Sequence, residues 1–228
     1  MLCTEPVVSL VSLYGGFTFG LISAFVTSNP YIFSTIYGFE IRAQGLSFLG
    51  FAVGCMLGPA VLILLEKYLY QPRAAQSRGS CPEIGGETSV VLATEHRLYG
   101  AMVGSVCLPV GLFTCAWTAR PAIHWACAIA AQSVFMFGGL SIYVSMTIYM
   151  VEMYGPLYAA SAVGANSLVR YTLSAVFPLF VLQMYQSLGI DWATSLLGFC
   201  ALAMTPIPWV FWTCGPRLRK RSGYKHGS

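Results

Sequence analysis

Six stretches of predominantly apolar residues, each about 20 residues long or longer, follow one another along this chain. A helix needs about 20 such residues to cross the hydrocarbon core of a bilayer. In each stretch the apolar residues occupy all sides of a helix rather than one stripe, which is typical of helices surrounded by lipid and by other helices. The fold class predicted is an all-α membrane protein in which a single domain, residues 1–228, contains six transmembrane helices. The predicted spans are 6–28, 46–65, 99–118, 126–150, 159–182 and 194–213.

The composition excludes a water-soluble protein. Hydrophobic residues make up 57% of the chain and charged residues only 9%, whereas about 25% of an average soluble domain is charged. The 23 Gly and 12 Pro also suit membrane helices, in which both residues are more frequent than in soluble ones. A cytosolic enzyme, a nucleic-acid-binding module and a disordered chain are therefore all excluded.

The basic residues predict the orientation of the chain in the membrane, because Lys and Arg are enriched on the cytoplasmic side. Two of the twelve, Arg42 and Arg120, fall on one side of the predicted bundle, and Arg170 lies inside a span. The other nine fall on the opposite side: Lys67, Arg73, Arg78, Arg97, Arg217, Arg219, Lys220, Arg221 and Lys225. The loop 66–98 and the tail 214–228 are thus predicted to be cytoplasmic, and with six spans so is the N-terminus.

Arg170 is the charged residue that most constrains function. It is the twelfth residue of the fifth predicted span, near the membrane midplane, where a charge costs at least about 2.5–3.5 kcal/mol on insertion scales. Asn166 and Ser174 lie four residues to either side, on the same helix face. This polar face is predicted to line a substrate or ion pathway. The alternative is that Arg170 anchors the bundle by binding carbonyl groups of neighbouring helices.

The fourth predicted span carries a second polar pair, Tyr143 and Thr147, which share a helix face. Such residues either line a cavity or tie helices together by hydrogen bonds. Glu152 follows at the predicted cytoplasmic boundary, where it is a candidate for charge coupling. Solvation or pairing at the interface is the alternative interpretation of Glu152.

Small residues recur at a spacing of four, which lets helix backbones approach closely. The pattern predicts helix packing and no chemistry. The glycines concerned are Gly50, Gly54, Gly58, Gly100, Gly104 and Gly164.

Enzyme signatures are missing from the sequence. It contains three His and eight Cys but no HExxH, CxxC or GxSxG motif and no phosphate-binding glycine loop. No catalytic residue, metal ligand or cofactor is therefore predicted.

Several strings resemble known membrane helices. CTEPVVSLVSLYGGFTFG, NPYIFSTIYGF and GLSFLGFAVGCMLG resemble the seventh and eighth helices of fungal drug:proton antiporters of the major facilitator superfamily. EHRLYGAMVGSVCLPVGLFTCAWTARPAIHW is similar to the ninth helix, and YAASAVGANSLVRYTLSAVFPLFVLQMYQSLGIDWATSLLGF to the eleventh and twelfth. The resemblance covers nearly the whole chain and corresponds to the C-terminal six-helix half of the multidrug or polyamine-type branch.

This resemblance implies a function and a location. The function is efflux of drugs, xenobiotics or polyamines by proton-coupled alternating access, in the plasma membrane, from a truncated or half-length chain. In that family the central cavity lies between two six-helix halves, so Asn166, Arg170, Tyr143 and Thr147 would form one wall. Glu152 stands where relatives tend to have an acidic residue.

The implied partners are lipid, the small-molecule substrate, protons and a second half. The alternative is an inactive or regulatory six-helix remnant that needs a partner half to transport.

Overall fold

The computed structural model describes residues 6–65, 98–210 and 212, and the side chains of 9–64, 99–151, 159–210 and 212. The described part is helical and contains no strand. Its helices are α1 (Pro6–Tyr37), α2 (Ile41–Ser47), α3 (Leu49–Leu65), α4 (Leu98–Thr118), α5 (Trp125–Leu188) and α6 (Ile190–Met204).

The predicted fold class is confirmed, because six helical segments of the described residues are long and apolar enough to cross a membrane. We number them span 1 to span 6: Ser9–Tyr37, Ile41–Leu64, Tyr99–Thr118, Trp125–Val151, Ala159–Leu188 and Ile190–Val210. The predicted cytoplasmic tail, and the predicted loop apart from Leu98 at the start of α4, lie outside the described residues.

Helix α5 contains two spans and folds back on itself. Its 64 residues would reach roughly 96 Å if they were straight, at 1.5 Å per residue. However, Arg170 in span 5 lies 4.6 Å from the ring of Tyr143 in span 4. Helix α1 also contacts both spans, since the rings of Phe25 and Phe135 pack edge to face and the hydroxyls of Ser23 and Ser174 are hydrogen-bonded. The chain therefore reverses direction between spans 4 and 5.

The ends of several spans differ from the sequence-based prediction. Helix α1 continues to Tyr37 with Pro30 inside it, nine residues beyond the predicted end at residue 28. No charged residue between 28 and 39 stops it, and membrane helices tolerate an interior proline. Span 5 continues to Leu188, and span 6 begins at Ile190 rather than at residue 194.

A single residue, Gly189, joins spans 5 and 6. Its backbone angles are φ 81° and ψ 164°, a region of conformational space that is essentially restricted to glycine. The Gly189 amide donates to the Tyr185 carbonyl at 3.1 Å. On the same hairpin the hydroxyls of Tyr185 and Thr194 are hydrogen-bonded at 2.8 Å. Spans 5 and 6 are therefore joined by a tight turn that a hydrogen bond closes, and span 6 packs mainly on α4.

Glycines allow the central helices to touch through their backbones. A Cβ built at Gly138 of span 4 would lie 2.6 Å from the Leu108 backbone nitrogen and 2.8 Å from the Gly104 carbonyl oxygen. Conversely, a Cβ at Gly104 would lie 2.6 Å from the Gly138 carbonyl oxygen. Helices α4 and α5 therefore cross at a separation that only glycine permits at these two positions.

The other glycines of the predicted packing pattern divide into two groups. Added Cβ atoms at Gly50 and Gly54 would lie 2.5 Å and 2.6 Å from carbonyl oxygens of span 4, and Gly58 would meet Leu140 at 3.4 Å. Gly100 would meet the Ser145 hydroxyl at 2.5 Å. Gly164 differs, because a Cβ there would meet no atom of the described part within 4 Å. The close packing predicted for Gly164 is thus not seen within the described residues.

The bundle covers its spans unequally. About 61% of the most apolar window of span 1 is buried, and the same holds for span 3, but only 11% is buried in span 5. Helix α1 covers one side of span 5, and most of the remaining side chains of that span are exposed. The residue with the strongest functional signal, Arg170, therefore lies on the covered side of the least covered span.

Candidate functional site

The side chain of Arg170 is buried among aromatic rings. It is only 7% exposed, and its guanidinium carbon lies 4.9 Å, 4.6 Å and 4.8 Å from the ring centres of Phe19, Tyr143 and Tyr171. We call these three rings the aromatic cage. Phe19 comes from α1, Tyr143 from span 4, and Tyr171 from the position next to Arg170 itself.

The aromatic cage explains how a permanent cation is kept inside an apolar bundle. The negative face of each ring attracts the guanidinium, and one such contact contributes about 0.5–1 kcal/mol when exposed and about 2 kcal/mol when desolvated. Three contacts are therefore of the same order as the insertion cost of an arginine, about 2.5–3.5 kcal/mol. The charge is retained in the membrane interior at little net cost.

The hydrogen bonds of Arg170 are incomplete. Nη2 donates to the Tyr171 hydroxyl at 3.1 Å, whereas the buried Nε has no hydrogen-bond partner among the described atoms. Among the described side chains, no carboxylate forms an ion pair with Arg170; the pair between Arg120 and Asp191, at 3.8 Å, belongs to a different part of the chain. The guanidinium is thus stabilised by rings and lacks a counter-anion within the described part.

The structure places the other predicted site residues around this arginine in different ways. Asn166 is buried, and its Oδ1 has no hydrogen-bond partner among the described atoms. The Ser174 hydroxyl is hydrogen-bonded to Ser23 of α1. Tyr143 contributes a ring to the aromatic cage, but the Thr147 hydroxyl donates to the Tyr143 carbonyl of its own helix at 2.8 Å. The side chain of Glu152 lies outside the described residues.

A second buried polar cluster lies on three spans and was not predicted from the sequence. Gln132 Nε2 donates to Asn29 Oδ1 at 2.6 Å, and Asn29 Nδ2 donates to the Ser47 hydroxyl at 2.8 Å. Ser47 in turn donates to the Gln44 carbonyl at 2.6 Å. The amide of Gln132, inside an apolar run, is the one sequence feature that could have indicated this cluster. Asn29 did not indicate it, because Asn29 lies just beyond the predicted end of the first span.

We expect the Gln132→Leu variant to lose about 1–2 kcal/mol of stability, because the buried Asn29 Oδ1 would lose its donor. The measurement is the unfolding midpoint of the purified chain in lipid nanodiscs. The matched control is Ser133→Ala, since Ser133 donates only to the Ile129 carbonyl of its own helix, at 3.2 Å. Equal losses in the two variants would contradict a role for the cluster in joining the helices.

Comparison with known proteins identifies fungal transporters that are similar to this chain in sequence. The chain is 37% identical to Polyamine transporter 4 of Saccharomyces cerevisiae over 100% of its own length and 37% of the relative. It is 36% identical to the MFS-type efflux pump MFS2 of Trichophyton rubrum, over 97% of the chain and 35% of the relative. It is 35% identical to the major facilitator superfamily multidrug transporter mdrA of Aspergillus fumigatus, over 98% of the chain and 35% of the relative. No family model and no solved structure matches the sequence.

These matches confirm the resemblance drawn from the sequence. The chain is a multi-pass membrane protein that is homologous to part of fungal transporters of the major facilitator superfamily. The relatives are named as transporters rather than as enzymes. The chain spans 35–37% of the length of these three relatives.

Proposed function

We propose that this chain forms one wall of a transporter that exports small organic compounds across the plasma membrane by alternating access. The observation that carries the proposal is Arg170, a buried cation in the membrane interior that no described carboxylate neutralises. Ionisable groups inside membrane bundles are costly, and they mark substrate and ion pathways. The named efflux and multidrug activities of the relatives support the same function.

The second wall, in this proposal, comes from another six-helix half. Span 5 supports it, because a helix that carries the functional arginine is covered on only one side. In transporters built from two repeats, the substrate site lies at the interface between them. In this proposal Asn166, Arg170, Ser174, Tyr143 and Thr147 lie next to that interface, with the exposed Tyr171 between Arg170 and the uncovered side of span 5. We further propose that export is coupled to proton entry, with Glu152 as a charge-coupling group. Both termini are proposed to lie in the cytoplasm.

The experiment is dye efflux from proteoliposomes with an imposed pH gradient, using anionic fluorescein and cationic rhodamine 6G. We expect Arg170→Ala to lower efflux at least 10-fold while membrane insertion stays intact, and Arg170→Lys to retain part of the activity. The control is Thr172→Ala, because Thr172 is exposed and its hydroxyl bonds the Leu168 carbonyl of its own helix. Normal efflux by Arg170→Ala would refute the site.

The competing function is a six-helix remnant that is inactive, or regulatory, until a partner half binds. The uncovered side of span 5 favours this function as well. Native mass spectrometry of the same proteoliposome preparation separates the two, because it reports whether the active species contains one chain. A chain that exports dye by itself, as one copy or as a pair of identical copies, contradicts the remnant, and efflux seen only after a different six-helix half is added supports it.

A further inference from the structure

The aromatic cage around Arg170 is open on one side. Phe19 and Tyr143 are half-buried between helices, but Tyr171 is 62% exposed. Its hydroxyl accepts the hydrogen bond from Arg170 Nη2, at 3.1 Å. The Tyr171 side chain thus lies between the guanidinium of Arg170 and the uncovered side of span 5.

The guanidinium has more donors than the described structure uses. It carries five N–H donors, and its hydrogen bonds to described side chains go to neutral phenol oxygens, those of Tyr143 and Tyr171. A carboxylate is a stronger acceptor, because charge-assisted hydrogen bonds are roughly twice as strong and a carboxylate binds guanidinium in bidentate geometry. An organic anion that arrives from the open side can therefore displace the Tyr171 hydroxyl.

We infer that Arg170 and Tyr171 form a subsite for a carboxylate, or a similar planar anionic group, on the transported compound. This inference rests on the proposed transport function and specifies its substrate class. An apolar body attached to the anionic group would rest against the exposed ring of Tyr171. A polyamine does not fit this subsite, because its ammonium groups would lie beside a cation that no described carboxylate neutralises. The preferred substrates are thus anionic organic compounds.

The test uses three ligands with the same ring system and different charges: 2-naphthoate, 2-naphthamide and 2-naphthylmethylammonium. Their binding to the full chain in phosphatidylcholine nanodiscs is measured by equilibrium dialysis. We expect naphthoate to bind at least 10-fold more tightly than the amide, and the ammonium ligand to bind most weakly. Equal binding of all three, or preference for the ammonium ligand, would overturn the subsite.

Variants connect the preference to these two residues. Arg170→Gln should abolish the preference for naphthoate, and Arg170→Lys should retain part of it. Tyr171→Phe should raise naphthoate affinity a few-fold, because the competing phenol oxygen is removed while the ring stays. Thr172→Ala should match the unmodified chain. A preference that survives Arg170→Gln would assign anion binding to another place and overturn the proposal.

Failure of this subsite and failure of the transport function give different results. A chain that exports dyes but does not prefer naphthoate would refute the subsite alone. A chain that prefers naphthoate but exports neither dye would refute the transport function and leave an anion-binding site at Arg170. If naphthoate binds the chain but is excluded once a second half is present, the anion at Arg170 is a protein carboxylate, which would also overturn the substrate assignment.

Discussion

The Gly138→Leu variant is expected to lose most of its folded population in mild detergent, with a destabilisation of about 3 kcal/mol, at the upper end of overpacking costs. The added side chain would start 2.6 Å from the Leu108 nitrogen and 2.8 Å from the Gly104 carbonyl oxygen. Both are backbone atoms, so no change of rotamer relieves the clash and helices α4 and α5 must separate. The measurement is the thermal midpoint of the purified chain, followed by size-exclusion chromatography.

Gly164→Leu is the matched control for this prediction. It introduces the same side chain into the same helix, but a Cβ at Gly164 meets no described atom within 4 Å. Glycine is also about 0.8–1 kcal/mol less favourable than alanine in a helix interior, and leucine ranks close to alanine. We therefore expect an unchanged or slightly higher midpoint. A fall as large as that of Gly138→Leu would show that Gly164 is a packing glycine after all.

Reversing the charge of Arg170 is expected to have the second large effect. In Arg170→Glu, a carboxylate would face the rings of Phe19, Tyr143 and Tyr171, whose negative faces attract cations and repel anions. The insertion cost of a charge would remain, without the contacts that offset it in the native chain. We expect a destabilisation of about 3 kcal/mol or more and poor membrane insertion, measured by protease protection and by the thermal midpoint.

Arg170→Leu separates this charge effect from simple loss of the arginine. Leucine is apolar, and its introduction leaves no buried polar partner unsatisfied, because the Tyr171 side chain is exposed. Replacing a buried charge by an apolar residue is often neutral or stabilising, so we expect a midpoint at least equal to that of the native chain, together with loss of efflux. A strong fall in the midpoint of Arg170→Leu would mean that the cage is needed for folding.

The sequence was sufficient to predict the membrane fold, because each span is encoded by a local property, an apolar run of about 20 residues. The position of Arg170 inside the fifth predicted span could be predicted for the same reason. The end of α1 could not be predicted in this way. No charged residue follows position 28 before residue 39, and the helix continues through Pro30 to Tyr37.

The surroundings of Arg170 depend on contacts between residues far apart in the chain. Phe19 lies about 150 residues before Arg170, and nothing in either local sequence pairs them. The glycine pattern also cannot predict contacts between distant parts of the chain. Small residues at a spacing of four show that a helix face is narrow, but not whether another helix lies against it. That is why Gly104 and Gly164 are equivalent in the sequence and different in the structure.

The Gly189 turn has a mechanical consequence. Because one residue joins spans 5 and 6, and the Tyr185–Thr194 hydrogen bond closes the turn beside it, the two helix ends at Gly189 are held together. A movement of span 5 at this turn is therefore passed to the start of span 6, while the rest of span 6 packs mainly on α4.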